Sequence, residues 1–144
     1  MDIAIRRLDP DLPLPSRQHE HDAGYDLVAR VDARVPAAGG RVAIATGIAV
    51  AIPAGYAGFV QPRSGLALRK GVTVLNTPGL VDSGYRDELR VILVNLDPVD
   101  EFVVERGDRI AQLVVQRVES FEWRVVDELD DTDRGLGGFG STGV

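Results

Sequence analysis

Short apolar runs separated by Gly, Pro and Asp constrain the fold of this 144-residue chain more than any other feature. Many short strands joined by turn residues are typical of all-β sandwiches, barrels and jelly rolls. Hydrophobic residues make up 44% of the chain but aromatic residues only 6%, so Val, Ile, Leu and Ala must build most of the core, which favours strands. The pattern predicts strands at residues 3–8, 25–29, 41–45, 48–52, 57–61, 89–96, 102–104, 110–118 and 121–126.

One short helix of a couple of turns is predicted after the strand at 57–61. Ser64 is a residue type that commonly caps helix N-termini, and Gly71 would end the helix in a left-handed conformation.

Two of the predicted strands are apolar at consecutive rather than alternate positions, namely residues 91–94 and 110–115. Both faces of such strands are normally covered. A partner subunit would cover them in an oligomer, and the centre of a monomer core would cover them equally well. The sequence leaves both alternatives open.

The length predicts one domain plus a tail. Residues 127–133 contain five carboxylates in seven positions, which is typical of a solvated spacer. Five glycines follow within residues 134–143, so this arm is expected to be flexible without a ligand. We therefore predict a β domain over residues 1–126 and a spacer with a C-terminal arm over residues 127–144.

The composition excludes several classes of protein. With no Cys there is no disulfide and no thiolate metal site, and the N-terminal residues lack a long apolar segment, so a soluble cytoplasmic protein without a membrane partner is expected. A net charge of −6 argues against a broad surface for polymeric nucleic acid. A small phosphorylated ligand would need local arginines and a divalent cation.

Five short motifs place Arg, Asp, Tyr, Gln and Phe among Gly and Pro, where packing alone does not require them. In isolation, Arg-Ser-Gly is more often a helix cap with a surface ion pair, and Asp-Ser-Gly an ordinary turn. Gln112 could instead bond a neighbouring backbone, which is the commoner arrangement for an isolated glutamine, and Arg109 could pair with Asp108 or another surface acid. The motifs are Ala23-Gly24-Tyr25-Asp26-Leu27, Pro62-Arg63-Ser64-Gly65-Leu66-Ala67, Asn76-Thr77-Pro78-Gly79-Leu80-Val81-Asp82-Ser83-Gly84-Tyr85-Arg86-Asp87-Glu88, Gly107-Asp108-Arg109-Ile110-Ala111-Gln112-Leu113 and Arg134-Gly135-Leu136-Gly137-Gly138-Phe139-Gly140-Ser141-Thr142-Gly143.

In order and spacing these motifs resemble those of the trimeric dUTPase family. The resemblance implies an all-β, jelly-roll-like (β-clip) fold with one short helix and a flexible C-terminal arm. It also implies a Mg²⁺-dependent homotrimer whose active sites are shared between subunits. Such an enzyme hydrolyses dUTP to dUMP and pyrophosphate, which supplies dUMP for thymidylate synthesis and keeps uracil out of DNA.

By this resemblance Asp82 is the general base that activates a water for attack on the α-phosphorus, and Tyr85 packs against the deoxyribose. Asp26 would act in the outer shell of Mg²⁺, through water. Without the resemblance, Tyr85 would be a core ring and Asp26 a solvent-facing strand or turn residue. The implied substrate-binding residues are Arg63, Ser64, Gly65, Asn76, Leu80, Val81, Tyr85, Arg90, Gln112, Arg134, Phe139, Gly140, Ser141 and Thr142.

Asp87 departs from the family pattern, which usually has Gly at this position. Because Asp tolerates left-handed backbone better than most residues, the fold is expected to survive. The related dCTP deaminases carry a catalytic glutamate at about the position of Ile92, and a nucleotide sensor would keep the pocket without turnover. A deaminase-like enzyme and a non-catalytic sensor are therefore the alternative functions.

Overall fold

A computed structural model describes residues 1–133 and 135 of the chain. These residues form eleven strands and one helix, an all-β architecture as the sequence predicts. The strands are β1 (Ala4–Arg7), β2 (Tyr25–Val28), β3 (Ala33–Val35), β4 (Arg41–Ala45), β5 (Ile48–Ala51), β6 (Tyr56–Gln61), β7 (Val72–Val74), β8 (Gly79–Val81), β9 (Arg90–Asn95), β10 (Phe102–Val104) and β11 (Arg109–Arg117), and the helix is α1 (Ser64–Lys70).

The strands pair into two larger sheets and two ribbons, all antiparallel. One sheet has the order β2-β11-β6-β8 and the other β4-β9-β7, while β1 pairs with β5 and β10 with β3. Aliphatic side chains from both sheets pack into one core, which includes Leu27, Ile44, Leu93 and Ile110. The arrangement confirms the predicted all-β, jelly-roll-like fold class with one short helix.

The two strands with consecutive apolar residues differ in how they are covered. In β9, Val91, Leu93 and Val94 are buried within the single chain, whereas Ile92 between them is half-buried. In β11, Val114 and Val115 remain half-buried. The core of the chain itself therefore covers most of β9, whereas the later part of β11 keeps accessible apolar surface.

Helix α1 begins one residue earlier than predicted, at Ser64 itself. The predicted N-cap at Ser64 is wrong: Arg63 occupies that position in an extended conformation, and its carbonyl accepts the N–H groups of Leu66 and Ala67. Ser64 is instead the first helical residue. The helix ends as predicted at Gly71, whose φ of 62° is left-handed and whose N–H returns to the carbonyl of Ala67.

The predicted strand at 121–126 is wrong. Residues 118–133 form no helix or strand, and Phe121 and Trp123 are 70% and 86% exposed, with their rings in an edge-to-face pair 4.9 Å apart. The alternating apolar pattern of this segment finds no strand to pair with in the part of the chain that the structure describes. The domain boundary at 126/127 stays a prediction. No helix among residues 1–133 and 135 is long and apolar enough to cross a membrane.

Candidate functional site

The residues singled out in the sequence fall into two groups on the surface of one chain. The first group surrounds a cavity of about 310 Å³, named here the β8 pocket. Six of the sequence-derived site residues line it, contributed by β8, the turn before it, the segment after it and the start of β9. The lining consists of Ala43, Val60, Asn76, Gly79, Leu80, Val81, Asp82, Tyr85, Leu89, Arg90 and Ile92.

The segment that carries Asp82 and Tyr85 is a loop between the two sheets rather than a β-hairpin. Strand β8 pairs with β6, where Gly79 lies opposite Val60, while the next strand, β9, belongs to the other sheet. Asp82 is exposed at the start of this loop, and its carbonyl accepts the N–H of Tyr85 at 3.1 Å. The crossing between sheets therefore places an accessible carboxylate at the rim of the β8 pocket.

Tyr85 is 41% exposed, and its hydroxyl donates to the carbonyl of Glu88 at 3.0 Å. The ring therefore lines the pocket with its polar end fastened to the loop. Asp87 does not adopt the left-handed conformation, since Ala38 is the sole non-glycine residue with positive φ among those described. Its carboxylate instead accepts the N–H of Glu88 at 2.7 Å. The tolerance of Asp for left-handed backbone is thus not what accommodates Asp87.

The second group is named the Asp26 cluster and consists of Asp26, Arg63, Arg109 and Gln112. Strands β2 and β11 bring it together, because Asp26 lies opposite Gln112 in their antiparallel register. Nη1 of Arg109 lies 3.2 Å from Oδ2 of Asp26, and Nε of Arg63 lies 4.0 Å from Oδ1. Arg63 also donates to the carbonyl of Arg109 at 2.7 Å. Two arginines thus share one largely buried carboxylate, and Arg109 pairs with Asp26 rather than with Asp108.

Gln112 is the polar interruption of β11, and the fold gives its amide a fixed partner. Its Nε2 donates to the carbonyl of Pro62 at 3.0 Å, directly before Arg63. A Cβ placed on Gly24 would lie 2.2 Å from Oε1 of Gln112, so only glycine fits there without displacing the amide. Gln112, Gly24 and Asp26 also line a second cavity of about 360 Å³. Ser64 and Gly65 follow Arg63 in the first turn of α1.

The donor atoms of the Asp26 cluster set a limit on metal binding. In residues 1–133 and 135, no three His, Cys, Asp or Glu side chains are grouped to hold a metal ion. Asp26 offers a single carboxylate that already accepts hydrogen bonds from Gln18 and Arg109. Mg²⁺ keeps several waters and takes ligands from substrate phosphates. The cluster therefore fits a cation that arrives with a phosphorylated ligand and meets Asp26 through water.

Comparison with known proteins decides the family. A family model described as dUTPase matches residues 11–143. The chain belongs to the dUTPase family. A deoxyuridine 5′-triphosphate nucleotidohydrolase of Thermobifida fusca is 60% identical over 141 residues, 98% of this chain and 78% of that protein. The same enzyme of Rhodococcus erythropolis is 54% identical over 99% of this chain and 87% of its own length. This dUTPase-family chain is accordingly a hydrolase of phosphoanhydrides.

Solved dUTPase structures share its fold. A mutant of the dUTPase from phage 80alpha superposes with a TM-score of 0.88 at 27% identity, covering 97% of this chain and 98% of that one. The Staphylococcus bacteriophage 80alpha dUTPase with dUpNHpp gives a TM-score of 0.85 at 26% identity, with 99% of both chains covered.

Five of the residues predicted to bind substrate lie outside the described residues, namely Arg134, Phe139, Gly140, Ser141 and Thr142. Sequence reasoning missed other residues that the structure brings to the β8 pocket, namely Ala43, Val60 and Leu89, and it missed that the loop is anchored through Glu88. The only signal for Glu88 was its place at the end of the motif that carries Asp82 and Tyr85.

Proposed function

We propose that this chain hydrolyses dUTP to dUMP and pyrophosphate in a Mg²⁺-dependent reaction. The observation that carries the proposal is the β8 pocket with the accessible carboxylate of Asp82 at its rim. The name deoxyuridine 5′-triphosphate nucleotidohydrolase borne by relatives at 54–60% identity supports it. A cavity of about 310 Å³ is within the range of small-molecule sites.

The pocket lining suits a nucleoside. Leu80 and Val81 supply an apolar wall, while Asn76 and the backbone of β8 supply polar groups for a uracil edge. In this proposal the close approach of β8 excludes the 5-methyl group of thymine. The ring of Tyr85 lies against the deoxyribose, where a 2′-hydroxyl would collide with it.

Asp82 is the general base of the proposed reaction. Its carboxylate accepts a proton from a water that attacks the α-phosphorus, and the bond from that phosphorus to the bridging oxygen breaks to release pyrophosphate. A carboxylate suffices as base because positioning and charge neutralisation dominate phosphoryl transfer. Arg90, which also lines the β8 pocket, adds positive charge beside the reacting group.

The Asp26 cluster supplies the phosphate end of the proposed site. Arg63, Arg109 and the Gln112 amide offer donors to phosphate oxygens, and Ser64 and Gly65 lie beside Arg63. A bound Mg²⁺ would supply neutralisation of the triphosphate charge. Asp26 would accept hydrogen bonds from the water shell of that cation.

The separation of the two groups in one chain supports a homotrimer with shared sites. The β8 pocket and the cavity beside the Asp26 cluster have no lining residue in common. Apolar side chains also stand exposed after β11, with Phe121, Trp123, Val125 and Leu129 each at least 70% accessible. Assembly would cover them and bring the Asp82 of one subunit to the Arg63 of another.

The C-terminal arm completes the proposed site. Phe139 stacks on the uracil, and Arg134, Gly140, Ser141 and Thr142 close over the γ-phosphate, excluding bulk water. The reaction would supply dUMP for thymidylate synthesis and keep uracil out of DNA.

Product analysis tests the proposal. The protein is incubated with dUTP, dCTP, dTTP or UTP plus Mg²⁺, and nucleotides, pyrophosphate and ammonia are quantified. Formation of dUMP and pyrophosphate from dUTP alone supports the proposal. Ammonia from dCTP would indicate a deaminase, although Ile92 puts an aliphatic side chain in the pocket wall where that reaction needs a carboxylate. Binding without turnover would indicate a nucleotide sensor.

A further inference from the structure

The loop between β8 and β9 is fastened to the body of the protein at its far end, through Glu88 and Leu89. The backbone of Leu89 bonds on both sides: its N–H donates to the carbonyl of Ile48 at 2.9 Å, and its carbonyl accepts the hydroxyl of Thr46 at 2.8 Å. Loop position is thus set by the turn between β4 and β5, which lies outside both groups of site residues.

Glu88 adds a charged anchor to this attachment. Its side chain is only 11% exposed, and Oε1 accepts the backbone N–H of Gly47 at 2.8 Å and Nη1 of Arg30 at 3.2 Å. Arg30 is itself held, because its Nη2 donates to the carbonyl of Leu8 at 3.3 Å and its Nε lies 3.6 Å from Asp9. A buried carboxylate with two donors is a rigid element, since leaving either partner unpaired is unfavourable.

The anchored residue also holds Tyr85. The carbonyl of Glu88 accepts the Tyr85 hydroxyl at 3.0 Å, and the N–H of Glu88 is taken by Asp87. The side-chain carboxylate of Glu88 binds the body of the protein. The backbone carbonyl of the same residue holds the hydroxyl of Tyr85, whose ring lines the β8 pocket. The chain of contacts runs from Arg30 and Gly47 through Glu88 to Tyr85.

We infer that Glu88 is a positioning residue for sugar selection: by fixing the carbonyl that holds the Tyr85 hydroxyl, it sets the angle at which the ring meets the sugar of a bound nucleotide. The inference rests on the proposed function in taking a uridine nucleotide as the ligand of the β8 pocket, with its sugar against the ring of Tyr85. A ring free to tilt makes room for a 2′-hydroxyl, so loss of the anchor reduces discrimination between deoxyribose and ribose.

The experiment measures that discrimination in two ways. Turnover gives the ratio of kcat/KM for dUTP to that for UTP. Calorimetry gives the ratio of Kd values for dUpNHpp and its ribose counterpart, which needs no hydrolysis. We expect Glu88→Ala and Tyr85→Phe each to lower both ratios about tenfold. The double variant should fall no further than either single one, because both changes release the same hydroxyl–carbonyl bond.

Two further variants separate positioning from general stability. In Glu88→Gln the amide oxygen can still accept the N–H of Gly47, and the ratios should stay within about threefold of the parent. Asn95 is buried and donates to the carbonyls of Val35 and Asp100, away from the loop. Asn95→Ala should lower Tm and leave both ratios unchanged.

Each result of these measurements either supports or overturns the role of Glu88 in sugar selection. An unchanged ratio in folded Glu88→Ala or in Tyr85→Phe overturns the inference, as do multiplicative losses in the double variant or an equal loss in Asn95→Ala. A parent that binds dUpNHpp but does not hydrolyse dUTP refutes the proposed catalysis, and the Kd ratios still test the role of Glu88. A parent that binds neither analogue overturns both.

Discussion

Nη1 of Arg109 lies 3.2 Å from Oδ2 of Asp26, across the antiparallel pair of β2 and β11. The carbonyl of Arg109 in turn accepts Nη1 of Arg63. One strand residue thus connects the carboxylate proposed to face the cation with the arginine proposed to face the phosphates. Arg109 organises the Asp26 cluster, although its sequence context alone is equally compatible with a surface ion pair.

Replacing Arg109 should weaken substrate binding. We expect Arg109→Gln to raise the KM for dUTP about tenfold with a smaller change in kcat, because a charge-assisted bond and a positive charge near the phosphates are lost. Steady-state pyrophosphate release measures both constants. Asp108→Asn is the matched control, since Asp108 binds the N–H of Glu105 and an amide oxygen can do the same. An equal rise in KM for the control would argue against the role of Arg109.

A methyl group at position 24 should displace the Gln112 amide. The Cβ of Gly24→Ala would meet Oε1 at 2.2 Å and Cδ at 2.9 Å, so we expect a lower Tm together with a higher KM for dUTP. Shortening Gln112 to Ala removes both of these atoms and leaves only its Cβ, 3.1 Å from the added methyl group. The double variant Gly24→Ala/Gln112→Ala should therefore melt close to Gln112→Ala alone. A double variant as unstable as Gly24→Ala would show that another contact is responsible.

The Asp82 carboxylate should matter for turnover rather than for binding. Asp82→Asn keeps the size of the side chain but removes the proton acceptor, so kcat for dUTP should fall by about 10²–10⁴ with little change in Kd for dUpNHpp. Rapid-quench assays and calorimetry give the two numbers. Asp87→Asn, which removes a neighbouring carboxylate in the same loop, should retain kcat. Full turnover by Asp82→Asn would eliminate this residue as the base.

Mixed assemblies of the proposed homotrimer test whether the two groups of residues meet across subunits. Chains with Arg63→Ala and chains with Asp82→Asn should each be inactive alone. Co-expressed in equal amounts with different affinity tags, they should regain about a quarter of parental activity, because random assembly restores both residues at that share of shared sites. Mass spectrometry verifies that mixed trimers form. Mixed trimers without activity would place Arg63 and Asp82 in the site of a single chain.

Asp9 and Arg106 give the stability a predictable pH dependence. The hydrogen bond from Arg106, whose Nη1 lies 2.5 Å from Oδ2 of Asp9, holds the pKa of Asp9 below its ordinary value of 3.8. A carboxylate with a depressed folded-state pKa stabilises the protein above its unfolded-state pKa, and this contribution is lost as pH falls through the folded-state value. Arg106→Gln should therefore lower Tm at pH 7, and the difference from the parent should shrink below about pH 4. Thermal melts monitored by circular dichroism test this, and a difference that is constant with pH would contradict it.

Most of the architecture follows from local patterns in the sequence. The limits of β4 and β10 coincide with the apolar runs at 41–45 and 102–104, and Gly71 ends α1 where a glycine was expected to do so. Local sequence patterns do not reveal pairing between strands that are distant in the chain. The sequence did not predict the three-residue strands β3, β7 and β8, and only tertiary pairing reveals that β8 joins β6 rather than β9. Residues 121–126 have the pattern of a strand without a partner strand among the described residues.

The candidate site was likewise predictable only in part from the sequence. Motifs marked Arg63, Asp82 and Gln112 because polar residues among glycines and aliphatics stand out, yet no motif says that Arg109 turns to Asp26. Glu88 ends one of the motifs, but its anchoring role does not show in the sequence, because its carboxylate accepts the N–H of Gly47, a residue 41 positions away. Contacts of this kind depend on the fold.

Trp123 is the single tryptophan of the chain, and it lies beyond the last strand with Phe121 against its ring. Indole emission shifts to shorter wavelength when the ring leaves water, because the excited dipole is less stabilised by its surroundings. A chromophore at this one location reports on the segment between the β domain and the arm, with no background from other indoles. The emission wavelength of Trp123 therefore shows, without any added label, whether that segment is exposed to water or covered.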